Sequence, residues 1–516
     1  MSDNSTGISI ETRAVQPWQQ EQDFRESLYE WMNATPWVML SLAAHLLLFF
    51  IAATIPWQEF KPAKGPIIAV QPPVPIEEVV EIPEPPPELV EVEEPEEPTL
   101  VDSTLVEDVD PAPDTSDSEL DFVSDFPFED VAALPEVGLG GRAGGGGGKG
   151  DGRDERRGRA GTATEQALES ALVWLQKHQA DDGSWDADGF VAECGEIGTN
   201  LCGGSGYPEH DVGVTGLALL AFLGIGDNSR SGPYQDVVRN GLRFLKSQQD
   251  PDSGLIGDRT SKEFIYNHVI ATLAICEDYY FTKLPTLKDN AQRAVDFITR
   301  ARDPYGVWRY DVPSLGEGDT SVTGWMVFAL AAAKDAGLRV DEGAFASSLA
   351  FFDDMTDSAN GRVGYLSVGS GSSRIPGVNQ QFPVEQGEAM TAVTLLCRVF
   401  LGQDPSEERV MEKHADLLLR ALPKWEPEEN GCDMYYWYYG TYAMFQMGAH
   451  KNSYWSKWED KLDGAVLQSQ REDGDERGSW DPVGPWGFAG GRVYSTALMA
   501  LTLEVKFRYD KVLGSR

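Results

Sequence analysis

The 516-residue chain carries 83 Asp and Glu against 42 Lys and Arg, a formal net charge of −41. That balance excludes a nucleic-acid surface, which needs clustered cations against phosphates. Five cysteines in this length exclude a disulfide-built scaffold, and the length itself leaves room for two or three domains.

Residues 1–36 are polar. Trp37 to Trp57, WVMLSLAAHLLLFFIAATIPW, then runs apolar and uncharged between tryptophans. Such a stretch spans a bilayer core of roughly 30 Å, and tryptophans favour its interfaces. No small-residue cleavage site follows, so a retained transmembrane helix over 37–57 is expected rather than a removed signal. Arg25 lies on one side and Lys61 and Lys64 on the other, so flanking charge leaves its orientation open. Within the span, Ser41 and His45 stand one helical turn apart. A histidine in a membrane helix is costly unless it faces a partner or a proton path; the alternative is a polar residue tolerated against a neighbouring helix.

Residues 58–162 form a linker. Glu77 to Pro98 is almost entirely Glu, Pro and Val, and no Lys or Arg occurs from Gly65 to Gly141. A self-repelling, Pro-rich segment cannot bury a core and is expected to be disordered and extended. Gly138 to Thr162 is a glycine-rich joint with a small basic cluster. The Ser-x-x-x-His pair in one N-terminal span, followed by a Pro-Glu stalk, resembles the N-terminal part of TonB-type energy transducers. The resemblance covers roughly residues 35–100 and implies contact of Ser41 and His45 with an ion-driven motor complex. It also implies a cytoplasmic 1–36 segment, an inner-membrane anchor and a periplasmic C-terminal domain.

From residue 163 to 516 the composition is globular, and one motif recurs. Trp174, Gln179, Gly183 and Trp185 are matched at identical spacing by Phe297, Arg302, Gly306 and Trp308. Gly241–Asp258 repeats it with an insertion and no tryptophan, Gly464–Trp480 repeats it with a longer loop, and looser copies end near Gly361 and Gly431. Six copies are counted. Each follows an amphipathic helical stretch such as EQALESALVWLQKHQ. Each precedes a more uniformly apolar one, clearest from Asp211, Asp319, Glu388 and Arg492, with two more near Asn267 and Tyr438. Six of each imply two layers, an apolar inner ring and an outer ring with one wet face. Small residues at Thr215-Gly216, Thr323-Gly324, Thr391-Ala392 and Thr496-Ala497 allow the inner helices to approach closely. In the repeated turn the glutamine amide is expected to satisfy orphan carbonyls or the next helix's amides, the glycine to make the turn, and the tryptophan to cover the joint.

Gln-x-x-x-Gly-x-Trp resembles the QW repeats of squalene-hopene cyclases and of protein prenyltransferase β subunits, the terpenoid cyclase/prenyltransferase group. The likeness covers about residues 163–510 and implies an all-α fold, one (α/α)6 toroid. Cyclases of that group protonate an alkene with the middle aspartate of Asp-x-Asp-Asp-Thr. In GEGDTSVTGW, Gly316–Trp325, Gly318 stands at the acid's place, leaving Asp319 as the candidate acid; Asp319 also reads as a helix N-cap, as do Asp211 and Asn267. The zinc ligands of the prenyltransferases are incomplete. Cys432 and Asp433 stand in inverted order, and no histidine occurs in GRVYSTALMALTLE. Cys194-Gly-Glu-Ile197 lacks the glutamine that a complement-type thioester needs. No metal or other cofactor is expected, and Cys194 and Cys202 read equally as a disulfide or as two free thiols.

Candidate ligand contacts are the aromatics Trp308, Tyr310, Trp325, Tyr435, Tyr436, Trp437 and Tyr439, which could grip an isoprenoid, a peptide or a glycan or simply pack between helices. Asp211, Glu388 and Asp433 form an alternative acid set at inner-helix starts. The leading expectation is a membrane-anchored binding or scaffolding module for an elongated ligand or partner, coupled to a TonB-like motor. The competing one is an isoprenoid cyclase or prenyl-transferring enzyme.

Overall fold

The computed structural model describes residues 162–508, except 196–201, 260, 305 and 313–317, together with His45, which is helical and exposed. Among the described residues no helix is long and apolar enough to cross a membrane. The anchor expected over 37–57, including Ser41 but not His45, and the linker up to residue 161 lie outside them.

Twelve principal helices alternate between two layers. The outer ones are α1 (Thr162–Lys177), α3 (Gln235–Ser247), α5 (Pro285–Ala301), α7 (Gly343–Asp354), α9 (Val410–Leu418) and α11 (Asn452–Val466). The inner ones are α2 (Asp211–Gly224), α4 (Phe264–Thr282), α6 (Thr320–Asp335), α8 (Ala389–Phe400), α10 (Met434–His450) and α12 (Gly487–Leu503). Burial follows the sequence pattern. Every residue of α2 after Asp211 is buried, whereas α3 buries one stripe, Val237, Val238, Gly241, Leu242 and Leu245, the spacing of a helix with one wet face.

The inner helices pack in cyclic order, α2 on α4, α4 on α6, and onward to α12, which returns against α2. Each outer helix lies mainly on the inner helix before it, and α1 lies on α12. The described residues therefore form a closed (α/α)6 ring. They contain no strand, only isolated bridges such as Gln249 with Ile256 and Thr356 with Val363 at the repeated turns.

Those turns are held by three kinds of hydrogen bond, two within the outer layer and one that joins it to the inner layer. The amide of Gln179 donates to the Gly183 carbonyl at 3.0 Å and to the Val237 carbonyl of α3 at 3.0 Å. Gln249 does the same to Gly254 and to Asn290 of α5. Gln470 donates to Gly478 and to Ala167 of α1. The second contact goes to a carbonyl of the next outer helix, not to amides, because a side-chain NH2 can only donate. The indole N–H of Trp185, Trp308 and Trp480 donates to the carbonyl of Leu175, Ile298 and Val466, at the end of the tryptophan's own outer helix, at 2.8–2.9 Å. The tryptophan main-chain N–H then meets a threonine hydroxyl of the following inner helix, Thr215, Thr323 or Thr496. In the copy without tryptophan, Ile256 N–H donates to His268 Nδ1 instead.

Glycine is required at these corners for a visible reason. Gly183 (φ +97°) and Gly478 (φ +95°) have left-handed backbones, and a β-carbon on either would strike the Asn240 or Ser170 carbonyl of the neighbouring outer helix. Near Gly431 the expected glycine turn is made by Asn430, which takes the left-handed conformation itself (φ 53°). Close approach of the inner helices is confirmed at Gly216, whose missing side chain leaves room for the Ile270–Ala271 backbone.

Candidate functional site

The first turns of all six inner helices converge on one cavity of about 290 Å³. The α2 end contributes Glu209, His210, Gly213, Val214 and Leu217; the α4 end contributes Glu263, Tyr266, Asn267 and Ile270. Ser321 and Trp325 come from α6, Met390 from α8, Tyr435 from α10, and Phe488 to Gly490 with Tyr494 from α12. Loops add Tyr207, Tyr310, Tyr365, Arg374 and Trp486. The wall is mainly apolar and aromatic. At its mouth Tyr207 and Phe488 remain 45% and 47% exposed and meet edge to face at 5.8 Å, so large rings stand in water there with no described residue covering them.

The polar groups of the wall are tied to one another. Arg374 donates to Glu263 at 2.6 Å and lies over the Tyr310 ring at 4.3 Å. The Tyr310 hydroxyl meets that of Tyr365 closely and that of Tyr266 at 3.2 Å. Ser321 and Tyr435 share a hydrogen bond of 2.7 Å.

The aromatic residues expected to contact a ligand divide. Tyr310, Trp325 and Tyr435 line the cavity. Trp308, Tyr436, Trp437 and Tyr439 do not. Trp308 is fully buried as a corner indole. Tyr436 turns outward to Leu418 O and packs on Trp458, Trp437 packs on Trp425, and Tyr439 packs among Trp325, Phe328 and Tyr435. A helix turns about 100° per residue, so positions 435, 436, 437 and 439 cannot all face one cavity.

Asp319 is also outside the wall. It caps α6, accepting from the Val322 N–H at 2.9 Å, and Tyr310 and Tyr365 stand between it and the space. Burial raises its carboxyl to about 6, against the Tyr365 hydroxyl and the local backbone amides, which favour the charged form. The alternative acids are separated as well. Asp211 sits in the first turn of α2 and accepts from Ala187 N–H; burial raises it to about 7. Glu388 pairs with Arg362 at 2.7 Å. Asp433 caps α10 through the Tyr436 N–H, and burial raises it to about 7. Asn267 is not a cap. It stands inside α4 and donates to Glu209 O at 2.6 Å. Cys432 contacts the Lys424 carbonyl.

The sequence reading missed Glu209, His210, Glu263 and Arg374, which arrive from turns and loops around the inner helices. It also missed His178, whose Nε2 lies 3.5 Å from Cys194 Sγ and 3.4 Å from Cys202 Sγ. All five cysteines are free and buried.

No family model matches the chain, and no curated protein matches it. Among solved structures it is similar to an inactive variant of an α-1,6-mannanase of Salegentibacter sp. HEL1_6, 11% identical, over 66% of this chain and 98% of that one, TM-score 0.43. It is similar to cellobiose 2-epimerase from Bacillus thermoamylovorans B4167, 13% identical, over 66% and 97%, TM-score 0.46. It is also similar to a type II terpene cyclase from Scytonema, 13% identical, over 67% and 97%, TM-score 0.44. At these values none of them lends this chain an activity. The ring rests on its own contacts.

Proposed function

We propose that the ring is a binding module that takes the end of an elongated apolar or aromatic ligand into the cavity where the inner helices begin. The observation that carries this is the wall itself: aromatic rings from four inner helices and the adjoining loops, two of them exposed at the mouth, with Arg374 paired to Glu263. The volume lies at the bottom of the roughly 300–1,000 Å³ range of ligand pockets, which suits a chain end rather than a whole triterpene.

The module's setting is proposed on the sequence alone. Residues 37–57 anchor the chain in the inner membrane, Ser41 and His45 contact an ion-driven TonB-type motor, and the acidic linker carries the ring into the periplasm. His45→Ala should leave membrane insertion intact and abolish co-purification with the motor proteins; if co-purification survives, that coupling is wrong.

A second reading has one observation in its favour. Tyr310 and Tyr365 line the cavity with the buried Asp319 carboxyl behind them, an arrangement able to pass a proton from acid to phenol to ligand. This is the isoprenoid cyclase reading in a modified form. The two separate on one experiment with the full-length protein in detergent. Apolar peptides, squalene and geranylgeranyl diphosphate are each tested for quenching of tryptophan fluorescence and for product. Binding without product, weakened by Trp325→Ala, supports the module. Turnover abolished by Asp319→Asn overturns it.

A further inference from the structure

The structure assigns a zinc site to His178, Cys194 and Cys202, at the seam where the first repeat meets the last. The donor atoms, one imidazole nitrogen and two sulfurs, all lie within 4.8 Å of one another, and all three residues are buried. Their separations have the size a tetrahedral ion imposes. With Zn–N of about 2.0–2.1 Å and Zn–S of about 2.3 Å, the nitrogen–sulfur edge of a tetrahedron is about 3.5 Å. The observed edges are 3.5 Å to Cys194 and 3.4 Å to Cys202.

The imidazole is oriented as a ligand would be. His178 Nδ1 lies 2.7 Å from the Trp174 carbonyl. A carbonyl only accepts, so Nδ1 carries the proton and the Nε2 lone pair is directed at the sulfurs. Metal-binding histidines are held in this way by a hydrogen bond from the far nitrogen. The Trp174 ring stacks on the imidazole at 4.0 Å and Phe190 meets it edge-on, which fixes the ring plane.

Binding displaces one proton from each thiol, and the ion with two thiolates and a neutral imidazole is uncharged, as a buried site requires. The fourth tetrahedral position is left to water or an added ligand.

The site's location gives it a task. Gly203, beside Cys202, donates to Glu476 at 2.9 Å and accepts from Arg492 Nε at 2.6 Å, and Trp174 Nε1 donates to the Asp475 carbonyl at 2.9 Å. An ion here ties α1 and the loop after it to the last turn and α12, so it strengthens ring closure.

The test is the full-length protein purified in detergent without chelator, in parallel with and without reductant. Expected are about one zinc per chain by elemental analysis, and a cobalt-substituted form with thiolate charge-transfer absorption. The zinc should be lost in Cys194→Ser, Cys202→Ser and His178→Asn, and kept in the buried control Cys276→Ser. Because a variant can fail to fold, the wild type is also stripped with chelator. It should lose several degrees of melting temperature and recover them with zinc alone. Metal-free wild type, zinc content unchanged in Cys194→Ser, or a two-hydrogen mass deficit marking a Cys194–Cys202 disulfide would each overturn the assignment.

Discussion

Gln470 donates its side-chain amide to the carbonyl of Ala167 at 2.7 Å, across 303 positions of sequence. The same bond links Gln179 to Val237 and Gln249 to Asn290 between consecutive outer helices. The last copy therefore does to the first helix what each earlier copy does to the next, and the array closes on itself.

Removing that clamp should be felt at the seam. Gln470→Ala deletes two hydrogen bonds, to Ala167 and Gly478, each contributing on the order of 0.5–1.5 kcal/mol. Denaturant melts should show a loss of about 1–3 kcal/mol, and hydrogen exchange should quicken in α1 and in the 470–480 turn before it does elsewhere. Gly478→Ala should lose at least as much, because it adds a backbone clash at positive φ.

The corner tryptophans are held by their N–H as well as by packing. Trp308→Phe keeps most of the apolar volume and leaves the Ile298 carbonyl without its indole donor, a cost of about 1–3 kcal/mol. Ligand binding should be unchanged, since Trp308 is not in the cavity wall. A Trp308→Phe protein that melts like wild type but no longer binds would reverse this assignment.

How much of this was legible beforehand depends on what each residue shares with its repeat. Helix alternation was readable because outer stripes such as Val237, Val238, Leu242 and Leu245 have helical period, and α2 is apolar throughout. Gly183 and Gly306 announced their turns because their spacing to Trp185 and Trp308 is fixed. The threonines were seen only as small residues. That Thr215 accepts from the Trp185 N–H requires knowing the next helix lies against the turn. The aromatic run from Tyr435 was over-read, since adjacent helical positions point apart and only Tyr435 reaches the cavity. Arg374 and Glu263 could not be paired from sequence; they stand 111 residues apart and meet only after the ring closes. His178 was passed over because its partners lie in a loop, not at helical spacing.

Two buried carboxyls make stability depend on pH in a predictable direction. Burial raises Asp319 to about 6 and Asp433 to about 7, above the roughly 3.9 of an unfolded aspartate. Between those values the folded state holds protons that the unfolded state has released, so these groups' contribution is complete below about pH 4 and is lost as pH rises through 6 to 7. His268 and His414, lowered to about 3 by burial, act oppositely and lose stability as pH falls below about 6.5. The clean readout is therefore a difference. Asp433→Asn, which keeps the cap, should be less stable relative to wild type at pH 5 than at pH 8. Parallel curves would contradict it.

At the C-terminal edge Arg508 donates to Glu277 at 2.6 Å, to Glu504 at 3.0 Å and to the Leu220 carbonyl at 2.7 Å, with all three charged side chains at most 1% exposed. Arg508→Met takes the guanidinium from beside two buried carboxylates and should cost about 3–5 kcal/mol. Adding Glu277→Gln and Glu504→Gln to it should recover much of that loss, measured as the midpoint of urea unfolding.

Ring closure is tested most directly by joining the two sides of the seam. Gln166 of α1 and Arg477 of the last turn are exposed and border the same cleft. In full-length protein carrying Gln166→Cys and Arg477→Cys, a short bis-maleimide should form an intramolecular cross-link, seen as altered gel mobility and confirmed by peptide mass. The wild type, with its cysteines buried, should not react. Both introduced thiols labelling readily with a monofunctional reagent, yet never cross-linking within one chain, would show an open array and contradict the closed ring.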